Sequence, residues 1–313
     1  MKIVSVADLR KSYSRVKAVN GFTFDVEEGE IYGIIGPDGA GKTTLFRILA
    51  TLMLPDGGTA SVTGLDIRDS FREIRRRIGY MPGRFSLYQD LSVEENLEFF
   101  ASVFNTSISR NYDMVKGIYC QLEPFRKRRA GKLSGGMKQK LALCCALIHA
   151  PHLLLLDEPT TGVDPVSRKE FWDMLQRLRR DYGITVIAST PYMDEASWCD
   201  RISLVQDGVL MRTDTPDGIR QAYSGRLYAV RSDDMRRLMG VLKECPSVES
   251  SFSFGDSFHV TLMPDATAVT LAESLSRSGM EQVVIREASP SVEDCFMSLM
   301  SKSNDKQQHG IDS

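Results

Sequence analysis

The sequence predicts an α/β protein in two parts, a larger domain built on a mainly parallel sheet and a smaller α/β module. Up to about Tyr223, short β-rich runs such as EIYGIIG, HLLLLDE and GITVIAST alternate with helical patterns, which is typical of parallel strands joined by helices. After that point the elements follow in the order βαββαβ. The polar run SKSNDKQQHGIDS predicts a disordered tail. We therefore expect domains over residues 1–222 and 223–300, and a tail over 301–313.

Composition limits the classes of function. The chain has 313 residues, of which 42% are apolar, enough to bury a real core, and its net charge of −2 gives no electrostatic case for nucleic acid as a partner. Its six cysteines show no CxxC pairing, so we expect free thiols in a reducing compartment. The N-terminus has no signal-peptide pattern, and no apolar run approaches the ~20 residues that a bilayer requires. We therefore expect a cytoplasmic chain that reaches a membrane only through a partner.

The most specific motif is GPDGAGKTT, which follows a predicted strand and precedes a predicted helix. It matches the phosphate-loop pattern GxxxxGK[ST], in which glycines let backbone N–H groups surround phosphate oxygens and a helix N-terminus favours negative charge. Lys42 would reach the terminal phosphates of ATP, and the Thr43 hydroxyl would ligate Mg²⁺. The predicted ATP-binding residues here are Gly36, Pro37, Asp38, Gly39, Ala40, Gly41, Lys42, Thr43 and Thr44.

A second motif, LLLLDEP, supplies two adjacent carboxylates. Its apolar run suits a central parallel strand, which would deliver Asp157 and Glu158 to the edge of the sheet where ligands bind. Asp157 would hold Mg²⁺ directly or through water, and Glu158 could polarise the water that attacks ATP. Adjacent carboxylates after a strand often only cap a helix, but a phosphate loop in the same chain favours catalysis. We predict Lys42 and Glu158 as catalytic residues, and Thr43 and Asp157 as metal ligands.

A third motif, LSGGMKQK, opens a helix with a Ser-Gly-Gly turn, which can form an anion site. The order GPDGAGKTT, LSGG, LLLLDEP and TTGVD strongly resembles the ATP-binding subunits of ABC transporters over residues 1–222. This resemblance implies a P-loop NTPase fold of the ABC ATPase type, with a mixed sheet and a helical signature subdomain. It also implies that Ser134, Gly135 and Gly136 serve the nucleotide of an opposite subunit, and that the D-loop with Asp164 touches that subunit.

The resemblance extends to two further places. Tyr13 matches the aromatic residue that stacks on adenine in this family, although packing of a tyrosine at a strand end is the alternative. The segment SLYQDLSVEENL resembles the one that meets the membrane permease. The partners implied are therefore permease subunits and either a second copy of this chain or a paired ABC ATPase.

Two positions depart from the family pattern. Gly83 stands where the Q-loop usually has a glutamine that contacts Mg²⁺ and water, and Pro191 stands where the switch histidine usually follows the strand. Proline offers neither a donor nor a titratable group in its place. None of the four histidines is an evident substitute, whereas Gln89 is close enough in the loop to be considered. We expect a low basal ATPase rate.

The second part of the chain predicts a small accessory domain. Its βαββαβ order is that of the ferredoxin-like arrangement. The ending SPSVEDCFMSLM resembles the PSLEDVF element of ABC exporter subunits whose membrane part is a separate chain, although an ordinary amphipathic helix would show the same spacing. We interpret this domain as dimer-stabilising or regulatory.

These motifs favour an ATP-hydrolysing subunit that powers a separate efflux permease from the cytoplasmic face of the membrane. One alternative is a nucleotide-gated regulatory subunit with little ATPase activity, which Gly83 and Pro191 motivate. Another is a soluble ABC ATPase of translation or DNA repair, although such proteins usually carry tandem ATPase units or long coiled-coil insertions.

Overall fold

The computed structural model describes residues 1–84, 86–280 and 282–309, with side chains up to residue 301. The chain divides into two compact units, Met1–Pro216 and Asp217–Ser313. The predicted domain boundary, after residue 222, falls inside the second unit. No helix in the described part of the chain is long and apolar enough to cross a membrane.

The first unit combines two sheets with helices. Its described strands are β1 (Lys2–Tyr13), β2 (Val16–Glu27), β3 (Ile31–Ile35), β4 (Gly57–Val62), β5 (Leu65–Asp66), β6 (Ile78–Met81), β7 (Leu153–Asp157), β8 (Thr185–Thr190), β9 (Arg201–Gln206) and β10 (Val209–Asp214). Its described helices are α1 (Lys42–Leu49), α2 (Phe71–Arg77), α3 (Val93–Val103), α4 (Tyr112–Tyr119), α5 (Gly135–Leu147) and α6 (Pro165–Tyr182), and α7 (Pro216–Gln221) spans the boundary.

The central sheet carries the residues that matter for function. Its order is β10-β9-β3-β8-β7-β6, and every described pair in it is parallel except β9 with β10. Strands β3, β7 and β8 are buried at every position, as expected for apolar runs covered on both faces. A second, antiparallel sheet has the order β2-β1-β4-β5. The mixed α/β fold expected from the sequence is therefore confirmed.

The helical part of the first unit lies between β6 and β7 in the chain. Helix α3 begins with a capping box, in which the Ser92 hydroxyl accepts from the backbone of Glu95 and the Glu95 carboxylate accepts from the backbone of Ser92. Helices α3 and α4 both contact α5, whose apolar side chains include the buried Cys144 and Cys145. The six cysteines all lie in described residues, and none is in a disulfide.

The second unit is an antiparallel sheet with helices. Its described elements are β11 (Leu227–Arg231), α8 (Met235–Glu244), β12 (Val248–Phe254), β13 (Ser257–Leu262), α9 (Ala268–Arg277), β14 (Val284–Glu287) and α10 (Val292–His309). The sheet order β12-β13-β11-β14 is that of the ferredoxin-like arrangement. Leu238, Leu242, Leu271 and Leu275 of α8 and α9 form its core with the sheet.

Helix α10 is longer than the sequence analysis predicts. It continues to His309, so residues 301–309 of the predicted disordered tail are helical, whereas residues 310–313 lie outside the described residues. A helix already formed over its apolar first turns extends at low cost into polar residues such as lysine and glutamine, because only nucleation is unfavourable.

Candidate functional site

The phosphate loop joins β3 to α1, and its neighbours dictate its shape. Gly41 has φ of +97°, and a Cβ there would stand 1.9 Å from the Ala18 carbonyl oxygen. A Cβ on Gly36 would stand 2.1 Å from the Val205 carbonyl oxygen. The Gly36 N–H also donates to the carbonyl of Thr190 at 3.2 Å. Because backbone from three other strands presses on this loop, only glycine fits at both positions.

Lys42 is buried, with 3% of its side chain exposed, and its ammonium group has three acceptors. Its Nζ donates to the carbonyl oxygens of Gly36 at 2.8 Å and Pro37 at 2.9 Å. It also lies 3.0 Å from Oε1 of Glu158. An ammonium group has three N–H bonds, so each can be matched by one of these acceptors. The structure thus brings the predicted catalytic pair Lys42 and Glu158 into direct contact.

Asp157 ends strand β7 and is 1% exposed. Its Oδ1 accepts a 2.8 Å hydrogen bond from the hydroxyl of Ser189, its register partner on β8, and its side chain also bonds to Thr43. Burial raises the pKa of the Asp157 carboxyl, while the hydrogen bonds from Ser189 and Thr43 oppose that rise. The two predicted metal ligands are therefore adjacent oxygen donors, which are the ligand type that Mg²⁺ prefers.

Glu158 has a strained backbone, with φ of +50°. A non-glycine residue in this left-handed region costs roughly 1–2 kcal/mol. Its N–H donates to the Ser189 hydroxyl at 2.9 Å, and its Oε2 accepts a 3.3 Å hydrogen bond from the Thr161 hydroxyl. Ser189 thus orients both acidic residues through one hydroxyl. The sequence indicates only that Ser189 lies near the end of a strand. Its role could not be predicted, because its two partners lie 31 and 32 residues away in the chain.

Gly83 and Pro191 lie on either side of the acidic pair. Strands β6 and β8 both neighbour β7, and Met81 pairs with Leu156 just as Ser189 pairs with Asp157. Gly83 comes two residues after Met81, and Pro191 comes two residues after Ser189. A Cβ on Gly83 would stand 3.1 Å from the Asp157 carbonyl oxygen and 3.6 Å from its Oδ2.

Gln89, considered as a substitute, contacts a different part of the unit. Its carbonyl accepts a 2.9 Å hydrogen bond from the N–H of Gly131, and a Cβ on Gly131 would stand 3.6 Å from its Oε1. Gly131 lies three residues before Ser134 of the LSGG motif. The cavity beside the acidic pair, of about 620 Å³, is lined by other residues.

The Ser-Gly-Gly turn of the LSGG motif, here called the signature turn, packs against the D-loop of the same chain. Ser134 is exposed and caps helix α5, accepting a 3.4 Å hydrogen bond from the N–H of Met137. A Cβ on Gly135 would stand 3.7 Å from the Gly162 carbonyl oxygen. Ser134 and Gly135 are both exposed, so the N-terminus of α5 is open to solvent.

The D-loop acid has a local structural partner. Asp164 is the N-cap of α6 and accepts a 3.0 Å hydrogen bond from the N–H of Ser167, which holds the pKa of its carboxyl below the ordinary value. Ser167 in turn lies beside the signature, because a Cβ on Gly136 would stand 3.0 Å from its Oγ. The contact of Asp164 with an opposite subunit stays a prediction.

Tyr13 is the last residue of β1 and not part of a loop. Its side chain is 42% exposed, and its hydroxyl contacts Met53 Sδ at 2.9 Å. The hairpin of β1 and β2 borders the phosphate loop, since Ala18 of β2 lies against Gly41. Adenine stacking by Tyr13 stays a prediction.

A buried network that sequence reasoning missed joins the D-loop to the segment after Pro191. Glu195 is fully buried and its Oε1 accepts a 2.8 Å hydrogen bond from the Thr160 hydroxyl. The Arg168 guanidinium lies 3.8 Å from the same oxygen, 3.2 Å from Asp194 and 4.4 Å from the centre of the Tyr192 ring. These contacts depend on the tertiary approach of α6 to the 3₁₀ turn over Met193–Trp198.

An apolar cavity of about 330 Å³ lies beside the helical part of the unit. Phe104 and His149 stack in its wall with ring centres 3.8 Å apart. The Nε2 of His149 contacts the Ile78 carbonyl at 2.9 Å, and burial lowers the pKa of its imidazole. Nearby, Tyr88 of the segment SLYQDLSVEENL is 50% exposed.

Comparisons with known proteins relate the chain to ATP-binding proteins of ABC transporters. A family model described as ABC transporter matches residues 19–161. The chain is 39% identical over 279 residues to the probable multidrug ABC transporter ATP-binding protein YbhF of Escherichia coli (strain K12), covering 88% of this chain and 48% of that protein. It thus spans about half the length of that relative. It is 36% identical over 300 residues to the daunorubicin resistance ATP-binding protein DrrA2 of Streptomyces coeruleorubidus, covering 93% of this chain and 92% of that protein.

Among solved structures, a similar one is the dimeric post-hydrolysis state of the ATP-binding cassette MJ0796 bound to ADP and Pi. The TM-score is 0.62 with 26% sequence identity, and the match covers 68% of this chain and 98% of that chain.

Proposed function

This chain belongs to the family of ABC transporter ATP-binding proteins, and from that premise we propose that it is the ATP-hydrolysing subunit that powers a separate efflux permease. The observation that carries the proposal is the convergence of Lys42, Thr43, Asp157 and Glu158 at one edge of the central sheet. Relatives named for multidrug transport and daunorubicin resistance support the efflux class. A purely regulatory, non-hydrolysing subunit is less favoured, because both catalytic candidates are retained.

ATP binding requires the Lys42 ammonium group to exchange partners. Its three N–H bonds face two loop carbonyls and Glu158. The negatively charged oxygens of a phosphate are strong acceptors and can take the place of these groups. The backbone N–H groups of residues 36–44 would surround the phosphates at the start of α1. Once Lys42 turns to phosphate, the Glu158 carboxylate is released to accept a hydrogen bond from water.

Thr43 and Asp157 would hold Mg²⁺, since their side-chain oxygens are already adjacent and are of the ligand type that this ion prefers. When bound, the ion neutralises charge on the phosphates. Glu158 would orient a water toward the γ-phosphorus. The water oxygen forms a bond to phosphorus as the bond to the β,γ-bridging oxygen breaks, giving ADP and phosphate, and Glu158 takes up a water proton.

A second subunit would complete the site. Ser134 and the N-terminus of α5 face outward and would bind the phosphates held by an opposite subunit, which is either a second copy of this chain or a paired ABC ATPase. Closure around ATP and reopening after hydrolysis would supply the two states that drive a permease. We further propose the accessory unit, Asp217–Ser313, as a dimer-stabilising or regulatory element.

The apolar cavity is the candidate docking surface for the permease. Phe100, Val103 and Phe104 of the helical part line it, and Val103 is 56% exposed. A permease segment inserted there would bury this apolar surface and place the chain at the cytoplasmic face of the membrane.

The test compares phosphate release and nucleotide binding in four proteins: wild type, Lys42→Ala, Glu158→Gln and the control Glu273→Gln. The control makes the same chemical change at an exposed residue of the second unit. We expect Lys42→Ala to lose ATP affinity and Glu158→Gln to bind ATP, sediment as an ATP-dependent dimer and release no phosphate. If wild type binds ATP but releases no phosphate even with a permease, the nucleotide-gated regulatory function replaces this proposal.

A further inference from the structure

A cavity of about 620 Å³ opens beside the acidic pair, and its walls carry opposite charges. Thr43, Asp157 and Glu158 line it together with Arg84. Gly83 also lines the cavity and lies against Asp157, because a Cβ there would stand 3.1 Å from the Asp157 carbonyl oxygen. The loop after β6 therefore passes close to the metal-ligand candidates without placing a side chain on them.

Two arginines line this cavity, and only one of them is committed elsewhere. Arg47 hydrogen-bonds to the phenol of Tyr80, whose pKa is raised to about 12 chiefly by burial and also by the charge of Asp157. Arg84 is exposed, and among the described residues no hydrogen bond or ion pair engages it. Its guanidinium group is therefore available to an anion that enters the cavity.

The site needs a donor of this kind. Pro191 follows the neighbouring strand β8 and has no donor, and Gly83 has no side chain. Arg84 is the residue next to Gly83, and its long side chain carries five N–H donors in a planar fork that suits phosphate oxygens.

We propose that Arg84 donates hydrogen bonds to the terminal phosphate of ATP and thereby supplies the contact that Gly83 and Pro191 cannot make. The inference rests on the proposed function for the nature of the ligand. This arrangement differs from the family pattern, because the side chain that contacts the phosphate comes from the loop after β6 and not from the end of β8. Arg84 then distinguishes ATP from ADP, since only ATP carries the phosphate that it contacts.

The experiment titrates ADP and AMP-PNP, a non-hydrolysable ATP analogue, into wild type, Arg84→Ala, Arg84→Lys and the control Arg76→Ala, with Mg²⁺ present. Arg76 is exposed and does not line the cavity. We expect Arg84→Ala to weaken AMP-PNP binding about 10-fold, which corresponds to about 1.4 kcal/mol, with ADP affinity changed less than about 2-fold. Arg84→Lys should fall between wild type and Arg84→Ala, and Arg76→Ala should match wild type.

A second measurement separates this role from a structural one. Pro191→His introduced into Arg84→Ala should restore part of the lost AMP-PNP affinity, which a mere loop distortion would not permit. Equal losses for ADP and AMP-PNP, or no loss for either, would overturn the assignment of Arg84. If Arg84→Ala loses affinity for AMP-PNP only, but the wild-type protein shows no ATPase activity, the assignment of Arg84 stands and only the proposed hydrolysis is refuted.

Discussion

Replacing Ser189 by alanine tests whether one buried hydroxyl organises the acidic pair. Ser189 is fully buried, and its hydroxyl donates to Asp157 at 2.8 Å while accepting from the Glu158 N–H at 2.9 Å. A hydrogen bond to a charged group contributes about 1.5–3 kcal/mol and a neutral one about 1 kcal/mol. The free energy of unfolding of the first unit should therefore fall by about 2.5–4 kcal/mol at neutral pH.

The loss should depend on pH, because the Ser189 hydroxyl donates most strongly to ionised Asp157. Burial raises the pKa of Asp157 above its ordinary 3.8. Protonation of Asp157 therefore favours the folded state, and this contribution is fully present below pH 3.8. It disappears as the pH rises through the pKa that Asp157 has in the folded state. Removing the Ser189 hydrogen bond raises the folded pKa further, so Ser189→Ala should be more destabilising at pH 7 than at acid pH. Mg²⁺-dependent ATP affinity should also fall, since the metal needs an ionised ligand.

The assay is urea unfolding followed by tryptophan fluorescence at several pH values, with Mg²⁺-ATP titration in parallel. The two tryptophans, Trp172 and Trp198, stack in the first unit with ring centres 5.6 Å apart, so they report on that unit. The matched control is Ser203→Ala, because Ser203 is also fully buried and its hydroxyl has two partners, the neutral hydroxyls of Tyr32 and Thr213. If both variants lose the same stability at every pH and keep wild-type ATP affinity, Ser189 does not organise the acidic pair.

Two further predictions follow from neighbouring features. Pro191→His should raise steady-state phosphate release about 10-fold, and more in the Arg84→Ala background, because one preorganised donor contributes at most about 10²–10³ in rate; an unchanged rate in both backgrounds would show that the end of β8 does not approach the γ-phosphate. In the second unit, Asp294→Ala should lower the free energy of unfolding by about 2–3 kcal/mol, since its buried carboxylate accepts hydrogen bonds from His259 at 2.8 Å and from the Ser291 hydroxyl at 2.6 Å. Calorimetry measures this change, with Glu293→Ala at the exposed neighbouring residue as the control. The free energy of unfolding of the control should lie within about 0.5 kcal/mol of wild type, and equal losses in the two variants would contradict the prediction.

The sequence alone determined the features whose residues are close together in the chain. The phosphate loop needs a strand, a glycine-rich turn and a helix within about 20 residues, and such local order is visible as a pattern. The same holds for the β7 run that ends in Asp157, and for the second unit, where the predicted strand VESSFSF coincides with β12. The family resemblance added the expected pairing of subunits, which no residue pattern would have supplied.

The contacts between distant groups depend on the tertiary structure. Lys42 contacts Glu158, and Ser189 bonds to Asp157, because the parallel register of β3, β8 and β7 aligns the ends of these strands. A one-residue change in the register of β7 against β8 would turn the Asp157 side chain away from Ser189, so this contact cannot be read from composition or spacing. The position of Arg84 likewise follows from the close approach of Gly83 to Asp157, which is a contact between segments of the chain that only folding brings together.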